Sequence, residues 1–218
     1  MRACIIANSP SFDEQAARWR AALADLVIAT DGAIERMPTT FAPHIVCGDM
    51  DSREPTGHRA RFPTTEWIHQ ECQETNDLEK SILVAIGRGA TEIDVVCAFG
   101  GRLDQTLMTF SVMERFHKEV PITLYHEGWE ARLCGSEGAA SNMCILDLKS
   151  NAIVSLVVRS QVATVSISNV RWTLSQESLT PGSRGLSNRA LGGVVTTTVH
   201  DGCVVVCCRS EDRADLIA

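Results

Sequence analysis

No apolar run in this 218-residue chain reaches the length of a membrane span, so no membrane partner is expected. The N-terminal run Met1-Arg2-Ala3-Cys4-Ile5-Ile6-Ala7 is too short for a signal-peptide core, and polar Asn8-Ser9-Pro10 ends it. Positive charge is not in excess. Twenty Lys and Arg against 27 Asp and Glu leave a formal net charge of −7, which argues against nucleic-acid binding, since that needs a basic face. No C-x-x-C pair occurs among the nine cysteines, so the paired ligand spacing of a zinc site is missing. Long internal repeats and low-complexity segments are absent as well.

What is present is ordinary globular material. Hydrophobic residues make up 44% and charged residues 22%, and the length allows one large domain or two small ones. The cysteines sit mostly inside apolar runs (Cys4, Cys47, Cys97, Cys203, Cys207). They read as buried free thiols in a reducing compartment, and a cytoplasmic protein is expected.

The first part of the chain alternates. Apolar runs at 2–7, 26–29, 44–47, 65–69, 93–99 and 122–125 read as strands. Helical spacing occupies 13–23, 77–87 (Leu78, Ile82 and Ile86 on one face, Asn76 as N-cap) and 103–118. Such alternation implies a mostly parallel sheet with helices on both faces. Beyond Gly135-Ser136-Glu137-Gly138 the helical period disappears. Short β-branched runs at 152–158, 162–167, 194–199 and 203–208 replace it, and His200-Asp201-Gly202-Cys203 reads as a hairpin turn. Two domains are therefore expected, an α/β domain over 1–135 and an all-β sandwich or small barrel over 136–218.

The chemistry concentrates at strand ends of the first domain. In Gly48-Asp49-Met50-Asp51-Ser52 two carboxylates directly follow a short apolar run, a place suited to a hard cation such as Mg²⁺. Thr30-Asp31-Gly32, Gln73-Glu74-Thr75-Asn76-Asp77-Leu78-Glu79-Lys80 and Gly100-Gly101-Arg102-Leu103-Asp104-Gln105 fall at comparable turns. In a parallel sheet these turns converge on one edge. That convergence would gather Asp31, Asp49, Asp51, Glu74, Asp77 and Asp104 around one site, where only cations can offset their repulsion. A magnesium nucleotide triphosphate supplies them. Gly100-Gly101 allows close backbone approach to phosphate, and Arg102 and Lys80 are the expected phosphate-contacting cations. Each motif alone also has an ordinary use: Asp-Gly in turns, Asn-Asp at a helix N-terminus, Gly-Gly in a connection.

Taken in order, Gly48-Asp49-Met50-Asp51-Ser52, Gln73 to Lys80 and Gly100 to Gln105 resemble the successive signatures of the thiamin pyrophosphokinase family. Trp172-Thr173-Leu174 and Gly185-Leu186-Ser187-Asn188 are similar to that family's C-terminal segments. The resemblance implies a Rossmann-like N-terminal α/β domain with a mostly parallel sheet, followed by a C-terminal β-sandwich. It implies transfer of the pyrophosphoryl group of ATP to the thiamin hydroxyl, giving thiamin diphosphate and AMP. It also implies a homodimer with thiamin near the subunit interface. Asp49, Asp51, Asp77 and Asp104 match the acidic positions for Mg²⁺–ATP, with Asp49, Asp51 and Asp77 as metal ligands. Asp31, Glu74, Lys80, Gly100, Gly101, Arg102 and Gln105 match the nucleotide side, and Trp172, Ser187 and Asn188 the region that meets thiamin. Glu74 and Asn76 stand where the family usually has Asp and Thr, and Ala33 replaces the second Gly of a common D-G-G.

Two rival functions share these features. One is an Asp-x-Asp phosphohydrolase, although Asp49-Met50-Asp51-Ser52-Arg53 departs from the D-x-D-x-[TV] pattern of haloacid-dehalogenase-like enzymes. The other is a non-catalytic thiamin- or nucleotide-binding protein. Apart from the resemblance, a Trp in an all-β domain reads first as core.

Overall fold

The computed structural model describes residues 1–50, 55–138 and 141–215. The chain divides into two compact units, Met1–Met113 and Glu114–Ala218.

The first unit is built from β1 (Arg2–Ile6), α1 (Glu14–Ala22), β2 (Leu26–Thr30), β3 (Ile45–Gly48), α2 (Pro55–Arg61), β4 (Glu66–His69), α3 (Asp77–Gly87), β5 (Glu92–Val96) and most of α4 (Leu103–Phe116). Its strands lie in the order β5-β1-β2-β3-β4, and every pair is parallel. The runs ACII of β1 and LVIAT of β2 are buried throughout, as strands covered on both faces must be. Side-chain caps start the helices. Asp13 accepts from the Ala16 N–H and Asn76 from the Glu79 N–H, each at 2.9 Å. Leu78, Ile82 and Ala85 form the buried face of α3, which packs against β1, β2 and β3. Strands β1 to β4 step outward in one direction, whereas β5 lies on the other side of β1. A crevice therefore opens at the carboxyl ends of β1 and β5, where the strand order reverses.

The second unit contains β6 (Ile122–His126), β7 (Trp129–Gly135), β8 (Met143–Leu148), β9 (Ile153–Val158), β10 (Ala163–Ser168), β11 (Leu174–Leu179), β12 (Asn188–Arg189), β13 (Gly193–Asp201) and β14 (Cys203–Arg209). Its antiparallel pairings run β12-β9-β14-β7-β6 in one set and β11-β10-β13-β8 in the other. Residues of both sets, Leu146, Val165 and Val195 from one and Val154, Leu156 and Val206 from the other, share one apolar core. A buried charge cluster accompanies that core. Glu130, 1% exposed, accepts from Arg132 and, at 3.0 Å, from Arg213, which also donates to Asp215 at 2.8 Å.

Two expectations change here. The first compact unit ends at Met113 instead of at 135. Strands β6 and β7 pair with each other, and β7 pairs with β14, all antiparallel, so they join the β-rich unit. The His200-Asp201-Gly202-Cys203 turn does not close a hairpin. Strand β13 pairs with β10 and β8, and β14 pairs with β7 and β9, so the chain crosses from one sheet to the other. Val195 and Val199 of β13 and Val204 and Val206 of β14 thereby enter one core from opposite sheets.

Of the nine cysteines, six are buried, Cys203 and Cys207 are half-buried, and Cys72 is exposed; all are free thiols.

Candidate active site

Strands β2 and β3 are neighbours with Thr30 opposite Cys47, so Asp31 and the Gly48-Asp49 turn emerge side by side. The N-terminus of α3 brings Asp77 to the same place. Carboxylate oxygens of Asp31, Asp49 and Asp77 all lie within 4.8 Å of one another. Gly48 makes this approach possible, because a Cβ there would stand 2.5 Å from Asp31 Cγ. Met50 adopts a left-handed backbone (φ 58°) and donates its N–H to Asp31 Oδ2 at 2.9 Å. An oxygen-only donor set of this kind suits a hard divalent cation.

The electrostatics point the same way. Asp31 is pushed up to about 7, first by burial and then by the charge and hydrogen bond of Asp77, with Asp49 adding to it. The buried Lys80 ammonium lies 3.2 Å from Asp77 Oδ1 and is the positive charge nearest this carboxylate among the described residues. Gln73 Nε2 donates to Asp49 Oδ2 at 3.4 Å. Burial and the Asp77 charge push the Cys47 thiol up to about 11, so it is no nucleophile at neutral pH.

Asp49 and Asp77 line a cleft of about 700 Å³ within the first unit, together with Asn8, Ser9, Glu74, Gly100, Arg102, Gln105 and Met108. Gly100 and Gly101 have φ of 95° and 87°, a conformation natural to glycine, and they pass close to Ser11 and Pro10. Buried Ser9 holds this turn by donating to the Phe99 carbonyl while accepting from the Ser11 N–H at 3.0 Å.

The structure brings together part of the expected set. Asp31, Asp49 and Asp77 form the cluster, while Glu74, Lys80, Gly100, Arg102 and Gln105 line the cleft beside it. Asp51 and Ser52 lie outside the described residues. Asp104 stands apart from the triad. It is exposed and accepts from Arg102 Nε at 3.0 Å and from Nη2 at 2.5 Å. The Arg102 hydrogen bonds hold its carboxyl below the usual carboxylate range. Gly101 is exposed on the same turn.

In the second unit Trp172 is 55% exposed, so it is not a core residue. The Arg171 guanidinium sits over its ring at 4.9 Å. Asn188 is buried and clamps the Trp172 backbone, accepting from its N–H at 3.1 Å and donating to its carbonyl at 2.7 Å. Ser187 is left-handed (φ 57°) and donates its N–H to Ser155 Oγ at 2.9 Å.

Sequence reasoning passed over Asn8, Ser9 and Met108. The signal for the first two was their position directly after β1, the strand next to the order reversal. Met108 accepts the Asn76 amide at 2.9 Å, a contact between α3 and α4 with no local signature.

A parallel sheet with clustered carboxylates and a glycine turn along its carboxyl edge places the first unit among α/β domains with an acidic ligand cleft at that edge. Residues 19–124 match the family model for the thiamin pyrophosphokinase catalytic domain. Similar solved structures include thiamine pyrophosphokinase from Bacillus subtilis, at 16% identity, with a TM-score of 0.80 over 97% of this chain and 100% of that one. Thiamin pyrophosphokinase from Geobacillus thermodenitrificans aligns at 17% identity and TM-score 0.79, covering 96% and 98% of the two chains. The enzyme from Candida albicans aligns at 16% and 0.73, covering 95% and 88%. At these identities the likeness is one of fold. A sequence comparison with curated proteins gives no match.

Proposed function

We propose that the chain is a thiamin pyrophosphokinase, with a Rossmann-like nucleotide domain followed by a β-sandwich domain that contributes to thiamin binding. The reaction moves the pyrophosphoryl group of ATP onto the thiamin hydroxyl and releases AMP. The observation that carries this reading is the family match over 19–124, a segment that contains Asp31, Asp49, Asp77, Lys80, Arg102 and Asp104.

Mg²⁺ fits the cleft because the clustered ligands are all carboxylate oxygens, and a cation there would offset the burial and the Asp77 and Asp49 charges that push Asp31 up to about 7. Asp49 and Asp77, with Asp31 beside them, are the residues to hold it, and Asp51 joins them by its place in the family motif. When bound, the ion neutralises negative charge on the phosphate oxygens. The chain's own work is positioning. The Gly100-Gly101 turn borders the phosphate path, and Arg102 provides a forked cation at its rim. The thiamin hydroxyl attacks the β-phosphorus in line with the departing AMP oxygen, and a carboxylate of the cleft takes its proton. Asp77, paired with Lys80, and Asp104, bound by Arg102 through two nitrogens, are the two candidate acceptors. Exposed Trp172 offers a stacking face for an aromatic ring of thiamin, with Asn188 fixing its backbone and Ser187 adjacent. The active form is a homodimer with thiamin near the subunit interface, working in the cytoplasm.

Product analysis with thiamin, ATP and Mg²⁺ tests the proposal. AMP and thiamin diphosphate in equal amounts are expected. ADP with thiamin monophosphate points to simple phosphorylation, and phosphate release without thiamin points to a hydrolase. Binding with no turnover leaves a sensor.

A further inference from the structure

Asn8 follows β1 at the point where the strand order reverses, between the Asp31 turn on the β2 side and the Gly100-Gly101 turn on the β5 side. A phosphate chain spanning the carboxylates and the glycine turn would run along the wall that Asn8 lines. Two contacts fix its side chain. Arg36 Nε donates to Asn8 Oδ1 at 3.0 Å. A guanidinium only donates, so the hydrogen bond assigns Oδ1 as the acceptor end and leaves Nδ2 as the donor end. The amide also lies directly over Gly32, where a Cβ would collide with Nδ2. Among the described residues no protein group accepts from Nδ2. The side chain therefore presents a neutral donor of fixed direction at the wall of the cleft.

We infer that Asn8 is a ligand-contacting residue whose Nδ2 donates to a phosphate oxygen of the bound nucleotide, and that Arg36 is the positioning residue that holds it in this orientation. A neutral donor suits this place. It recognises an anionic oxygen without adding a positive charge that would compete with the cation for Asp31 and Asp49. The role presupposes a magnesium nucleotide in the cleft, as proposed above, but it makes no use of thiamin.

The test is calorimetric titration with α,β-methylene-ATP and Mg²⁺ in the absence of thiamin, alongside thermal unfolding without ligand. Asn8→Ala should weaken nucleotide binding about tenfold, the loss of one hydrogen bond to a charged acceptor. Asn8→Asp keeps the shape, puts a carboxylate against the phosphate and should weaken binding further. Arg36→Met frees the amide to rotate and should cost about two- to threefold, less than removing the donor itself. Unfolding midpoints within a few degrees of wild type are expected for an exposed position. A merely structural Asn8 would lower the midpoint and leave affinity unchanged, and that result overturns the assignment. If the wild type binds the analogue and Asn8→Ala weakens it, yet thiamin and ATP yield no AMP, the assignment stands and the proposed reaction fails. If AMP forms and both Asn8 variants bind normally, the reaction stands and the assignment fails. A wild type that binds no magnesium nucleotide overturns both.

Discussion

Each unit holds a charge cluster, and the two clusters are built in opposite ways. In the second, Glu130 is enclosed together with the guanidiniums of Arg132 and Arg213, and Arg213 is held in turn by Asp215. Opposite charges are paired around buried Glu130 and Arg213, with Arg132 and Asp215 reaching toward solvent. In the first unit, like charges are brought together. Asp31 and Asp77 are close enough to hydrogen-bond, Asp49 adds a third carboxylate, and Lys80 stands 3.2 Å from Asp77. An arrangement that costs stability in the unliganded chain is expected where a ligand later supplies the missing charge.

The largest effect should come from breaking the acidic side. Asp49→Asn or Asp77→Asn keeps shape and removes one cation ligand, and thiamin-dependent AMP formation should fall about a thousandfold. The unfolding midpoint should hold or rise for Asp49→Asn, where repulsion is relieved, and fall for Asp77→Asn, which also strips buried Lys80 of its partner. Near-normal turnover in a folded variant would remove the carboxylates from the mechanism. The matching change in the second unit is Glu130→Ala, which leaves two guanidiniums around an emptied site. Stability should drop by about 3 kcal/mol in urea titrations, as when a buried pair loses one partner. A negligible loss would mean that the cluster is solvated and the contrast between the units is false.

A third test sharpens the comparison through pH. Asp31 is raised in the folded chain to about 7, above its ordinary value near 4. Its stabilising contribution is thus complete below pH 4 and is lost as pH rises through 7. Between pH 5 and 8 the metal-free protein should lose about 2–3 kcal/mol relative to Asp31→Asn. Added Mg²⁺ should abolish that loss, and parallel pH profiles for the two proteins would refute the account. The smallest effect is expected at Trp172, which is exposed and so contributes little to folding. Trp172→Ala should raise the KM for thiamin about tenfold, the scale of one aromatic stack, with an unchanged unfolding midpoint. A lower midpoint with unaltered KM would return Trp172 to a structural role.

The same contrast governs what was legible beforehand. Buried parallel strands such as Leu26–Thr30 are short continuous apolar runs, and α3 repeats its apolar residues at i, i+4, so the α/β part could be read locally. In the β-rich part a period of two identifies strands but not which sheet each one enters. Cys203–Arg209 therefore looked like the return arm of a hairpin with Gly193–Asp201. The hairpin of β6 and β7 turns at Glu127-Gly128, which lacks the Asn-Gly or Asp-Gly signal. At the site, Asp49 and Asp77 were legible from motif order. Asp31 was legible too, from its Asp-Gly turn at the end of an apolar run; Asn8 joins them because β1 borders the order reversal, a fact of topology and not of spacing.

Gly48 shows how much of this site consists of room left empty. A single methyl group at that position would fall on Asp31 Cγ and Oδ2, so the triad can assemble only because nothing occupies that volume. In a survey of every substitution at every position, 48 should therefore rank with the carboxylates for intolerance, although it bears no reactive group. Alanine, harmless at most glycines of ordinary conformation, should be excluded there for purely spatial reasons.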